Sequence, residues 1–183
     1  MPEYRRIHEP GGTYFFTVVT HERRPILTCD LARSCLRTAI ERERSKHPFE
    51  MFACVLLPDH LHAIWTLPRG DDTYSNRWAA IKESFTRSYL AGGGEEGTLS
   101  GSRVRHRERA IWQRRFWEHT CRDEDDIERC MDYIHWNPRK HGLADRVRDY
   151  PFSSFHRHVR AGGYDIDWGG TDPDHVGHFA QAE

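Results

Sequence analysis

His60 and His62 are separated by one residue, the spacing that sets two imidazoles side by side on one face of a β-strand. Two such nitrogens can hold a divalent cation once a further donor joins them. Tyr133 and Asn137 are four residues apart in a segment that reads as a helix, so they share one side of it. A phenolic oxygen is a covalent nucleophile in enzymes, and one aimed at a phosphodiester needs a Lewis acid to polarise the non-bridging oxygen. Two histidines and an amide leave coordination positions for phosphate and water, which suits Mg²⁺ or Mn²⁺, the histidine pair tilting affinity toward Mn²⁺ or a later transition metal. Each feature also has an ordinary reading. The histidines can be polar-face residues, Tyr133 a flank of the core, and Asn137 a helix terminator before Pro138.

The elements that position these groups follow from hydrophobic pattern. Residues 13–20, TYFFTVVT, are aromatic and β-branched after Gly11 and Gly12, the signature of a strand opened by a turn. Residues 31–45 read as a helix with Asp30 as N-cap, ended by His47-Pro48. Phe49 to Pro68 reads as a hairpin turning at Pro58-Asp59, with His60 and His62 on its second arm and Leu61, Ala63 and Trp65 on the opposite face. A second helix, capped by Ser75, carries Trp78, Ile81, Phe85 and Tyr89 as a core stripe. Residues 91–102 are Gly- and Ser-rich and read as a flexible loop, and Ile111 to Thr120 as a fourth strand. The acidic cluster after it opens a third helix, Asp123 to Asn137, with Ile127, Cys130, Met131 and Ile134 buried and Tyr133 and Asn137 along the edge of that stripe. Strand, helix, hairpin, helix, strand, helix gives an α/β (α+β) fold with a ferredoxin-like antiparallel sheet packed with helices. One domain is expected over 1–160, followed by a loosely ordered tail over 161–183 that includes His175 and His178.

Composition sets the class. The chain has 183 residues, 37% hydrophobic and 30% charged, enough for one core of its own. No apolar run reaches the roughly 20 residues of a membrane helix, and residues 1–12 lack the apolar stretch of a signal peptide, so the expected location is the cytoplasm. Five scattered cysteines without a C-x-x-C pair argue against a disulfide framework and a zinc knuckle. The net charge of −1 gives no global attraction to nucleic acid, but Arg103, Arg105, Arg107, Arg109, Arg114 and Arg115 face only Glu108 in a basic block.

Long strings in order carry a family resemblance: LLPDHLHAIWTLP at 56–68, RWAAIKESFTRSY at 77–89, IWQRRFWEHT at 111–120, DYIHWNPRKHGL at 132–143 and YPFSSFHRHV at 150–159. The chain resembles the REP-associated tyrosine transposases, single-tyrosine HUH transposases of bacteria, from about Tyr4 to Trp168. The resemblance implies that His60 and His62 are the metal ligands of the HUH motif on a central strand. It further implies that Tyr133 is the nucleophile of a 5′-phosphotyrosine intermediate and that Asn137 completes the Mg²⁺ or Mn²⁺ site. The implied function is a metal-dependent single-stranded DNA endonuclease and strand transferase, a nickase and ligase by transesterification. Its implied partners are the hairpins of repetitive extragenic palindromes in the nucleoid. Arg139 departs from the family pattern, as does the long loop over 91–109.

Given such a substrate, Arg5, Arg6, Lys82, Arg87, Arg103, Arg105, Arg107, Arg114, Arg115 and Lys140 are candidates for DNA contact, and Trp112 or Trp117 for base stacking. A monomer is expected. The competing functions are a non-catalytic palindrome-binding module and a small metallohydrolase with a water nucleophile.

Overall fold

The computed structural model describes residues 9–170. β1 (Thr13–Val19) leads to α1 (Asp30–Lys46), then to the hairpin of β2 (Glu50–Leu56) and β3 (His60–Thr66), α2 (Tyr74–Ala91), the short α3 (Gly101–Arg105), β4 (Trp117–Cys121), α4 (Glu124–Lys140) and α5 (Phe155–Arg160). The four strands form one antiparallel sheet in the order β2-β3-β1-β4. This is the ferredoxin-like arrangement that the pattern predicts, with β3 and β1 at its centre.

Strand alternation divides the core into two layers. Tyr14, Phe16, Val18, Leu61, Ala63 and Trp65 face α1 and α2. There Trp65 stacks between Phe49 and Trp78, with ring centroids 4.0 and 4.1 Å away. Each aromatic pair of this kind contributes about 0.5–1.5 kcal/mol beyond area burial. The predicted stripe Trp78, Ile81, Phe85 and Tyr89 is wholly buried in this layer. Phe15, Ala53, Val55 and Ile64 face the other way, against Cys130, Tyr133 and Ile134 of α4. His60 and His62 lie on that second face, because they share the parity of Ile64 along β3.

Several boundaries differ from the sequence reading. Ser75 lies inside α2, whose N-cap is Thr73; Asp71, just ahead of it, accepts from the Thr73 amide at 2.8 Å and pairs with buried Arg77 at 2.6 Å. The fourth strand is shorter than 111–120. Only Trp117–Cys121 pairs with β1, and Trp112 makes a single bridge to Thr20, while Ile111 and Trp112 are drawn into the α2 layer. The loop over 91–102 passes into a short helix, with Ser100 accepting from the Arg103 amide. α4 runs past Asn137 and through Pro138 to Lys140. Proline removes one donor, but the last turn is held by His141 N–H to Asn137 and closed by Gly142 N–H to Arg139 and Leu143 N–H to Pro138. Gly142 at φ +65° completes this left-handed helix stop.

Past residue 160 the chain stays on the domain to the end of the described region. The Tyr164 hydroxyl donates to Asp132 at 2.6 Å, and Trp168 packs beside it on the α4 layer.

The Asp71–Arg77 pair yields a stability prediction. The hydrogen bonds of Arg77 hold the Asp71 carboxyl below the ordinary carboxylate range, against the opposing effect of burial. A depressed folded-state pKa means the contribution is complete above about pH 4, the unfolded value, and drains away as the pH falls toward the folded value. Asp71→Asn is expected to cost about 1.5–3 kcal/mol at neutral pH by urea unfolding and to flatten the acid limb of the stability profile.

Candidate active site

The sheet and α4 bring His60, His62 and Tyr133 into one buried cluster, and Asn137, also buried, lies one turn past Tyr133 on the same side of α4. The imidazole centroids of His60 and His62 are 4.9 Å apart, and the Tyr133 ring meets His62 edge-on at 5.2 Å. Tyr133 and Asn137 are both fully buried, at the centre of the α4 stripe and not along its edge. The inward face of α4 is Asp126, Cys130, Tyr133, Ile134 and Asn137, while Ile127 and Met131 are only partly covered. The helix is therefore rotated from the reading that its aliphatic residues suggest. Polar Asp126 and Asn137 turn inward because they have structural or site partners there.

Each histidine is oriented by its other ring nitrogen. His62 Nδ1 lies 2.8 Å from Thr17 Oγ1, across the register pair of β1 and β3. His60 Nδ1 lies 2.7 Å from the carboxylate of Asp59. Burial raises the Asp59 carboxyl, but the hydrogen bonds and charges of His60 and Arg23 prevail and hold it at about 2. Asp59 is thus anionic at neutral pH and fixes the Nδ1 proton of its neighbour. Among the described residues His60 Nε2 is buried without a hydrogen-bond partner, which is the state expected of a nitrogen reserved for a ligand. Two oriented imidazoles and a buried amide fit a divalent metal.

Two residues beyond Pro138 complete the surroundings. Lys140 Nζ donates to the Tyr133 hydroxyl at 3.3 Å and lies 5.0 Å from the centre of its ring. The His141 ring stands 5.3 Å from His60. Asp59 and His141 lie inside the strings at 56–68 and 132–143 without a spacing that marks them, and Thr17 lies in none of the strings. The parity of Phe15, Thr17 and Val19 along β1 was the one available signal for Thr17, and a helix read as ending at Asn137 hid His141.

The other proposed contacts divide into groups. Lys82, Arg87, Arg103, Arg107 and Arg114 line one cleft of about 800 Å³ between α2 and the 103–116 segment, on the sheet face opposite to His60 and His62. Within it Arg103 is buried and donates to the carbonyls of Arg109 and Trp112, so it braces the loop. Lys82 donates to the Gln113 carbonyl at 2.5 Å, and Arg114 pairs with Glu108 at 2.6 Å. Arg105 and Arg115 are exposed outside the cleft lining. Trp112 is buried against Phe85, whereas Trp117 is half-buried. Arg5, Arg6, His175 and His178 lie outside the described residues.

No family model matches the chain. A REP-associated tyrosine transposase of Escherichia coli K12 is 45% identical over 175 residues, covering 95% of this chain and 94% of that protein. The chain belongs to the REP-associated tyrosine transposases. A Haemophilus influenzae protein provisionally given the same family name is 44% identical over 174 residues, covering 95% and 96% of the two chains. A solved structure of a REP-associated tyrosine transposase bound to a REP hairpin superposes with a TM-score of 0.77 at 45% identity, covering 96% of each chain. Family membership makes this a DNA-processing protein, and it coincides with the fold and with the strings that carry the resemblance.

Proposed function

We propose that this transposase cuts and rejoins single-stranded DNA at REP-type hairpins through a covalent bond to Tyr133. The observation that carries the reading is the buried cluster of Tyr133, His60 and His62, with Asn137 one helical turn past the tyrosine and His60 Nε2 unpaired among the described residues. The Tyr133 oxygen attacks the phosphorus of a phosphodiester, the bond to the 3′ oxygen breaks, and a 5′-phosphotyrosine and a free 3′-hydroxyl result. The bond energy is kept in the phosphotyrosine, so attack by another 3′-hydroxyl rejoins a strand without a nucleotide cofactor. Mg²⁺ or Mn²⁺ held by His60, His62 and Asn137 would supply Lewis-acid polarisation of the phosphate.

The protein's own groups do the rest. Asp59 and Thr17 fix the two imidazoles, and α4 fixes the tyrosine and the amide one turn apart. Lys140 is exposed and lies over Tyr133, so an incoming phosphate meets its ammonium first. The cleft with Lys82, Arg87, Arg107 and Arg114 serves as a phosphate-binding surface on the far face. Within the described residues no helix is long and apolar enough to cross a membrane. One chain supplies the complete cluster, consistent with action as a monomer.

Denaturing electrophoresis of the protein with labelled hairpin oligonucleotides tests the reading. Mg²⁺ or Mn²⁺ should give a retarded, protease-sensitive band that chelator abolishes. Hairpin binding with no such band under any metal would favour the palindrome-binding module, and cleavage without attachment the metallohydrolase. A finer prediction concerns Thr17. Thr17→Val keeps the shape of the strand residue but frees the His62 ring, so Mn²⁺ affinity measured by calorimetry should fall about 10- to 100-fold with the fold intact.

A further inference from the structure

A second group of metal-ligating side chains lies between β4 and α4. His119, Asp126 and Cys130 offer ligand atoms that all lie within 4.8 Å of one another. Cys121, on the same side of β4 as His119, adds a further sulfur, and its Sγ is 3.9 Å from that of Cys130. Two sulfurs bound to one tetrahedral Zn²⁺ at about 2.3 Å stand about 3.8 Å apart. His119 Nε2 and Asp126 Oδ2 are in hydrogen-bond contact at 2.9 Å, and a shared ion would spread them to about 3.3 Å. The four donors come from two elements at spacings i, i+2 on the strand and i, i+4 on the helix, so each pair already points to one side.

We propose that His119, Cys121, Asp126 and Cys130 form a structural zinc site, separate from the histidine pair on β3 and independent of the reading of that pair as catalytic. The chemistry of the donors selects the ion: two thiols, an imidazole and a carboxylate suit Zn²⁺ and exclude Mg²⁺. Cys130 is fully buried, with its sulfur against that of Cys121. Binding releases both thiol protons and leaves two thiolates on the ion. Arg129, 3.6 Å from Asp126, offsets part of the resulting negative charge. His119 is the partly exposed member and gives the ion its way in. The site would clamp the sheet edge to α4 one turn before Tyr133, and so hold the register of the helix that carries the nucleophile.

Cobalt titration of the whole metal-stripped protein in the presence of reductant tests this. The expected result is a near-ultraviolet thiolate-to-cobalt charge-transfer band that saturates at one equivalent, is displaced by Zn²⁺, and survives the combined His60→Ala and His62→Ala changes. Cys130→Ser and Cys121→Ser should each lose intensity in that band. His119→Gln, at a partly exposed position, should weaken Zn²⁺ binding at least about tenfold, with unfolding in the absence of metal unchanged. Absence of the band, or a band that persists in Cys130→Ser and vanishes in the His60→Ala and His62→Ala protein, overturns the proposal.

Discussion

Tyr133→Phe should abolish covalent attachment to hairpin DNA, a loss on the order of 10⁴-fold or more, because the variant has no oxygen with which to form the phosphoester. Its fold should persist. The ring keeps its edge contacts with Phe15 and His62, and the hydroxyl contact with Lys140, which disappears, is worth about 1 kcal/mol or less at this exposed amine. Retention of hairpin binding in a gel-shift measurement separates this chemical loss from misfolding. Residual adduct at a level near that of the parent would remove Tyr133 from the nucleophile's role.

The second large effect is expected at the histidine pair. His60→Ala or His62→Ala removes one of two rigid nitrogens, and with it several kcal/mol of charge stabilisation at the phosphate, so attachment should fall on the order of 10³-fold. Adding Mn²⁺ at higher concentration should recover part of the activity, because the Asn137 amide and the remaining imidazole still provide ligands. Neither change should disturb the stack of Phe49, Trp65 and Trp78, which lies across the sheet, but each truncates a buried, hydrogen-bonded ring and should lower the unfolding midpoint, so retained hairpin binding is the control for folding. Attachment that is indifferent to both substitutions would mean that the pair has only a packing role.

These expectations rest on residues whose legibility in the sequence differed. Strict alternation in HLHAIWT makes the parity of His60 and His62 readable, because strand geometry leaves one face for each alternate residue. The α2 stripe is equally plain, with four large apolar residues at helical spacing. α4 was harder. Its inward face includes Asp126 and Asn137, so aliphatic periodicity alone points about one residue off the true centre. Pro138 reads as a stop, yet the glycine-capped turn behind it carries the helix on to Lys140 and places Lys140 and His141 at the site. The length of β4 depended on tertiary pairing. β1 ends at Val19, so Ile111 and Trp112 keep a single bridge, at Thr20, and find their burial against α2.

The partners of the site were hidden for the same reason. Thr17 meets His62 only through the register of two strands 45 residues apart, a relation that no local pattern encodes. Arg103 looks like its basic neighbours in sequence, but burial turns its guanidinium onto two loop carbonyls and spends it on structure. The group of His119, Asp126 and Cys130, with Cys121 beside Cys130, has no recognisable metal-ligand spacing, since a strand and a helix must meet before these donors come together.

The most direct test of the central claim is to digest the DNA-linked protein and locate the nucleotide by mass spectrometry. The account predicts a single modified peptide spanning the α4 sequence, with the 5′ phosphate on Tyr133 and a free 3′-hydroxyl on the released strand. A nucleotide on any other residue, or a 3′-linked phosphate, would contradict it.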